Sequence, residues 1–182
     1  VQDSLNGDDD YSSIIQIGFP FTFYGITYTS LVVCDNGYIT FNTFLANLSS
    51  GYTINAAVPS GGLFTEPVNA IMAPWHDVLL SNPFGGGNGS VFIAKTGIAP
   101  NRKFIATWCA AAMFSCTDSL NTFQIVLHDD GKFEINYREM TGAQNSATVG
   151  FQNASGSVGT QIAYNQNFDQ HSEKYVFIEF SC

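Results

Sequence analysis

The residues richest in possible chemistry stand at the start of the chain. Asp3, Asn6, Asp8, Asp9 and Asp10 place carboxylate and amide oxygens close together in sequence. Calcium takes roughly six to eight such hard oxygen ligands, so this segment is a candidate calcium site. It is not an EF-hand loop: Gly7 is present, but no glutamate follows at the required distance. The plainer alternative is a solvated acidic tip. Further along, Trp75-His76-Asp77 sets an imidazole beside a carboxylate. Acid–base catalysis would also need a positioned nucleophile and a pocket, and His128 and His171 stand at no recognisable spacing from His76. The simpler role for Asp77 is a strand-end carboxylate that holds a loop through backbone N–H groups. A glycan hydrolase would need two facing carboxylates. Glu134, Glu139, Asp77 and Asp169 are available, but nothing in their spacing pairs them. No catalytic residue is assigned, and the chain is read as not an enzyme.

Four cysteines, Cys34, Cys109, Cys116 and Cys182, allow three pairings. Cys109 and Cys116 are close enough in sequence to close a small loop. That leaves Cys34–Cys182, which would tie the last residue to an early strand. The alternative is a set of buried free thiols in a cytosolic protein. No CxxC pair exists, and histidine is too sparse for a zinc cluster. A terminal cysteine has little use in a core, so disulfides and an oxidising compartment are expected, which means a secreted or cell-surface protein. The chain opens on Val1 and a polar segment, as a mature or excised chain would.

The bulk composition narrows the partners. Six Lys and Arg oppose 15 Asp and Glu, for a formal charge of -9. Such a surface repels phosphate backbones, which excludes nucleic acid. No stretch approaches the roughly 20 apolar residues of a membrane helix, so no membrane insertion is expected. Asn47, Asn88 and Asn153 head Asn-x-Ser sequons and are possible N-glycosylation sites.

The elements that must position these residues read as strands. Ile15, Ile17, Phe19, Phe21 and Phe23 alternate with polar residues, the period of a half-buried strand, while Gly18 and Pro20 suggest an edge or a bulge. Tyr28 to Val33 is the next run, and Asp35-Asn36-Gly37 turns it into Tyr38 to Phe41. Residues 42–67 read as a long loop or insertion. Ala70 to Leu80 is a strand broken at Pro74. Gly85 to Gly89 mark a hairpin tip without the lysine and helix of a phosphate loop. Val91 to Lys95, Lys103 to Ala111, Asn121 to His128, Phe133 to Tyr137, Thr148 to Asn153, Gln161 to Tyr164 and Tyr175 to Phe180 complete the set, with Asp129-Asp130-Gly131-Lys132 as a hairpin turn. No segment carries a helical period. The expectation is one domain over residues 1–182, an all-β antiparallel β-sandwich of about ten to twelve short strands. An acidic lead-in occupies 1–13, and the Phe-rich core lies between the sheets.

Several blocks in this order resemble one family. They are Ile17-Gly18-Phe19-Pro20-Phe21-Thr22-Phe23-Tyr24-Gly25, Asp35-Asn36-Gly37-Tyr38-Ile39-Thr40-Phe41, Ile71-Met72-Ala73-Pro74-Trp75-His76-Asp77, Ala99 to Trp108, Asn121 to Leu127 and Ala147 to Asn153. Together they are similar to the nidogen-like extracellular domain and its bacterial cell-surface relatives. The resemblance implies a β-sandwich module of larger extracellular proteins with no shared catalytic set. It also implies that Asn36-Gly37 makes a positive-φ turn and that Trp75 and Trp108 anchor the core. The cysteines, and the insertion at 42–67, depart from the pattern.

Function is then expected to be adhesion or recognition of a protein or glycan at a cell surface or matrix. A structural spacer or coat subunit is the alternative, and a glycan-acting enzyme stands behind both. Loops on a rigid sandwich carry recognition, and the candidates are 42–67, 81–90 and 109–116. Tyr52, Phe64, Phe84, Met113 and Phe114 are the apolar residues that could contact a partner there.

Overall fold

Alternation in the sequence becomes alternation in burial. Along β1 (Ile15–Phe23) the pattern is strictly buried then exposed, with Ile15, Ile17, Phe19, Phe21 and Phe23 facing inward. The computed structural model describes residues 5, 7–52, 56–61, 67–80, 89–114, 116–141, 144–167 and 174–177. Among these residues twelve strands form. The others are β2 (Ile26–Cys34), β3 (Tyr38–Thr40), β4 (Ala70–Trp75), β5 (Val78–Leu79), β6 (Ser90–Thr96), β7 (Lys103–Met113), β8 (Cys116–His128), β9 (Phe133–Met140), β10 (Thr148–Gln152), β11 (Gly159–Tyr164) and β12 (Lys174–Phe177). They make two sheets. The first has the order β1-β2-β3-β4-β10-β11, and the second β12-β9-β8-β7-β5, with β6 also paired to β7. β1 is an edge strand, and its register shifts between Gln16 and Phe21, so Gly18 and Pro20 do mark a bulge at an edge.

The core lies between the sheets. Ile17, Phe21, Leu31 and Ile71 meet Phe104, Trp108, Phe123 and Ile135, all essentially without solvent contact. Each such side chain contributes roughly 1.5–3 kcal/mol by leaving water. Trp108 stacks on Phe123 at a centroid distance of 5.0 Å. Its indole N–H crosses to the first sheet and donates to the carbonyls of Cys34 (3.2 Å) and Asp35 (3.0 Å). A second apolar layer covers the far face of the first sheet. There Cys34, Tyr38, Val58, Ala70, Met72 and Trp75 are buried beneath Tyr11 and Ala56. β3 and β4 are therefore buried on both faces, which is why Ala70–Trp75 reads as a continuous apolar run. Gly37 sits in the turn between β2 and β3 at φ 84°, where a Cβ would lie 1.8 Å from the Pro74 carbonyl oxygen, so no other residue fits.

Three local expectations are corrected. The strand at 70–80 breaks at His76-Asp77, whereas Pro74 lies inside β4. Residues 109–116 are not an open loop: β7 runs to Met113 and β8 begins at Cys116. That register also keeps Cys109 and Cys116 apart. Met113 is the residue opposite Cys116, and Cys109 lies four positions back along β7. β7 is bulged between Trp108 and Met113, and Cys109 lies at the far end of that bulged stretch, opposite Ser90 of β6. Cys34, Cys109 and Cys116 are free thiols, so the Cys109–Cys116 bridge is not formed. Cys182, the expected partner of Cys34, lies outside the described residues. Within 42–67, Gln152 fastens the segment from below: its Oε1 accepts from Ser60 N–H (3.0 Å), and its Nε2 donates to the Pro67 carbonyl (2.8 Å).

Candidate functional site

The acidic lead-in is a strap laid over the first sheet. Its backbone bridges Asp8 to Leu79, Asp10 to Ser49 and Tyr11 to Cys34. The Ser50 N–H donates to the Asp9 carbonyl (2.7 Å) and the Tyr11 N–H to the Leu48 carbonyl (3.0 Å). Asp35, in the β2–β3 turn, receives the Asp10 N–H on its carboxylate at 2.8 Å. Asn36 donates to the Asp9 carboxylate at 2.9 Å and accepts the Val78 N–H at 2.7 Å. Tyr11 and Tyr38 join hydroxyls at 2.5 Å. The strap and the β4–β5 break thereby bring Asp8, Asp9 and Asp77 together, one ligand oxygen from each lying within 4.8 Å of the others.

The electrostatics follow from this crowding. Partial burial first, then the charges of Asp9 and Asp8, push the Asp77 carboxyl up to about 6. Asp8 is raised by burial and by Asp9 and Asp10. Burial pushes Asp35 up to about 7; the Asp10 N–H works against this, and the Asp9 charge adds to it. The ion pairs of the described residues, Arg102–Asp129, His128–Glu134 and Lys132–Asp130, involve none of these acids. Three partly exposed carboxylates without a basic partner can chelate a divalent cation. Of the sequence candidates, Asp8 and Asp9 belong to this group. Asp10 does not: its backbone serves Asp35, and its carboxylate lies against Gly7. Asp3 and Asn6 lie outside the described residues. Asp77 is the candidate ligand that sequence reasoning missed, because the long-range bridge of Asp8 to Leu79 and the bonds of Asn36 to Asp9 and Val78 make it a neighbour of the strap.

His76 forms no dyad with the Asp77 carboxylate. It is buried, its Nδ1 donates to the Asp77 carbonyl (3.0 Å), and its Nε2 lies 2.9 Å from Ser146 Oγ. Burial lowers its pKa, so the neutral ring accepts the Ser146 hydroxyl and both nitrogens are occupied. The Asp77 carbonyl also accepts the Phe114 N–H at 3.0 Å. Asp77 thus holds its loop with its carbonyl and leaves its carboxylate to the strap. Glu134 lies 3.3 Å from His128, and Asp169 is outside the described residues. Cys34 is buried and its thiol is pushed up by burial, so it is a poor nucleophile.

The expected contact residues divide. Tyr52 and Phe114 are exposed, at 76% and 57%. Met113 is fully buried, which corrects its placement on a binding loop: it faces inward where β7 pairs with β5. Phe64 and Phe84, with the glycine-rich tip at 81–88, lie outside the described residues. Phe44, at 91% exposed, was not anticipated. Asn47 is exposed at φ 61°. Asn153 uses its side-chain oxygen to accept the N–H groups of Ser157 (3.0 Å) and Val158 (3.2 Å). Asn88 lies outside the described residues.

Two antiparallel sheets packed face to face make the chain a β-sandwich module. The chain belongs to the NIDO-related family, whose model matches residues 1–176. It is similar to alpha-tectorin of Gallus gallus, with 32% identity over 159 residues, covering 79% of this chain and 7% of that protein. Alpha-tectorin of Homo sapiens is 27% identical over 169 residues, with the same coverage of 79% and 7%. The chain thus spans about 7% of the length of these curated relatives. No solved structure matches it. The nidogen-like resemblance is borne out, and the two-sheet antiparallel sandwich it implied is the observed fold. Among the described residues no helix is long and apolar enough to cross a membrane.

Proposed function

We propose that residues 1–182 form one recognition module of a larger secreted or cell-surface protein, and that calcium fastens its N-terminal strap. The observation that carries the calcium reading is the approach of Asp8, Asp9 and Asp77 to within 4.8 Å. An all-carboxylate set favours a hard cation. Three carboxylates leave room for backbone carbonyls and water to complete a calcium shell, and an incomplete protein cage fits the weak affinities of extracellular modules, roughly 0.1–1 mM. Burial is the first cause of the raised Asp8 and Asp77 carboxyls, and the cation would relieve the repulsion from neighbouring aspartates that adds to it. The partner is a protein or glycan of a cell surface or matrix, met by exposed side chains such as Phe44 and Tyr52. If the source glycosylates, Asn47 is the better acceptor, because the Asn153 side chain is engaged in its own turn.

The test is calorimetric titration with calcium, alongside thermal melting in calcium and in chelator. Calcium is expected to raise the Tm of the parent and to leave Asp77→Asn nearly unmoved. Identical melting in calcium and chelator would overturn the proposal.

A further inference from the structure

The outer face of the second sheet holds a groove of about 290 Å³ that belongs to no feature described above. It runs over β6 to β9 and is lined by Phe92, Thr107, Cys109, Gln124, Asn136 and Arg138, among others. That volume is near the lower end for small-ligand sites, about 300 Å³. Its chemistry is unusual for this chain. Phe92 presents an aromatic ring, 40% exposed, at one edge. Gln124 Nε2 donates to Thr107 Oγ1 at 3.0 Å, which fixes the amide and leaves its oxygen free to accept. The side chains of Asn136 and Arg138 make no hydrogen bond or ion pair among the described residues. A guanidinium without an ion pair among the described residues, in a chain of formal charge -9, is a local reversal of sign. Its planar fork matches a carboxylate.

We propose that this groove binds an acidic saccharide. Arg138 would take the carboxylate, Asn136, Gln124 and Thr107 would exchange hydrogen bonds with ring hydroxyls, and Phe92 would pack beneath the apolar C–H face of the ring. The Asn136 amide, the Gln124 side-chain oxygen and the Thr107 O–H supply donors and acceptors together, as a polyhydroxyl ligand requires, and the aromatic face attracts polarised C–H groups. One carboxylate is the fit, not a polyanion. Glu139 stands exposed next to Arg138, and the net charge repels a heavily sulfated chain. The inference rests on the recognition reading of the module and is independent of calcium.

The experiment uses the whole chain against a panel of neutral, sialylated, uronic-acid and heavily sulfated oligosaccharides. Binding is expected for the sialylated or uronic-acid members. Arg138→Ala should weaken it about tenfold or more, Arg138→Lys should restore part of it, and Phe92→Ala should weaken it several-fold, all with unchanged melting. Bound sugar should also slow alkylation of Cys109, on the groove, and not of the exposed Cys116, as read by peptide mass mapping. Silence across the panel, preference for the sulfated chain, or binding indifferent to Arg138 and Phe92 would sink the proposal. Binding to surface or matrix proteins that survives Arg138→Ala would leave the recognition reading standing while the groove assignment fails.

Discussion

The two sheets of the sandwich share one core and differ in what lies on their backs. The first is covered a second time: the strap, with Tyr11, and the loop carrying Ala56 and Val58 seal Cys34, Tyr38, Met72 and Trp75 from water. Among the described residues the second has no such cover, with Phe92 exposed and Thr107, Gln124 and Asn136 half-buried across the neighbouring strands β6 to β9. The covered sheet can carry long apolar strands and buried ionisable groups, because protein replaces solvent on both faces. The open sheet must alternate, and its outward residues answer to solvent or to a ligand. Stability and recognition are thus separated between the layers.

Substitutions on the two backs should differ most. Trp75→Ala, beneath the strap, is expected to cost about 3–5 kcal/mol through lost burial and a residual cavity, measured by chemical denaturation. A cost near 1 kcal/mol would mean that the second layer does not close. Next in size is the buried acid. The Asp35 carboxyl is raised from 3.8 to about 7, so across that interval the folded state keeps a proton that the unfolded chain has lost. Stability then falls as pH rises from about 4 to about 7, by at most on the order of 4 kcal/mol. Asp35→Asn should flatten that slope and be the more stable protein at pH 7.5, in denaturant melts at pH 5 and pH 7.5 with chelator present. A parent protein that gains stability over this interval would contradict the burial of Asp35. Calcium should add less stability at pH 5 than at pH 7.5, because Asp77, raised to about 6, is then largely protonated. The smallest effect belongs to the open back: Phe92→Ala is expected to change stability by less than about 1 kcal/mol.

The same contrast governs how much the sequence disclosed. β1 and β9 were legible because alternation is a local signal, and Ile15 to Phe23 shows it without interruption. β4 was legible as a strand but not in its break, since Pro74 is the stronger punctuation on paper and His76-Asp77 the actual one. The hairpin of β7 and β8 was hidden by small residues, Ala110 to Ala112, that carry no period. The acids of the strap were visible as possible ligands. Their meeting with Asp77 was not, because it depends on a long-range bridge. The groove was illegible for a related reason: Phe92, Gln124 and Arg138 come from three strands, and only the register between them makes one surface.

The chain contains two tryptophans, and the fold assigns one to each apolar layer. Trp108 lies between the sheets, hydrogen-bonded across the core, and Trp75 lies under the strap. The protein therefore carries its own pair of fluorophores. In Trp108→Phe, the remaining indole emission would report lifting of the strap. In Trp75→Phe, it would report parting of the sheets. Comparing the two emission shifts along one denaturation curve would show whether the second layer opens before the first or together with it.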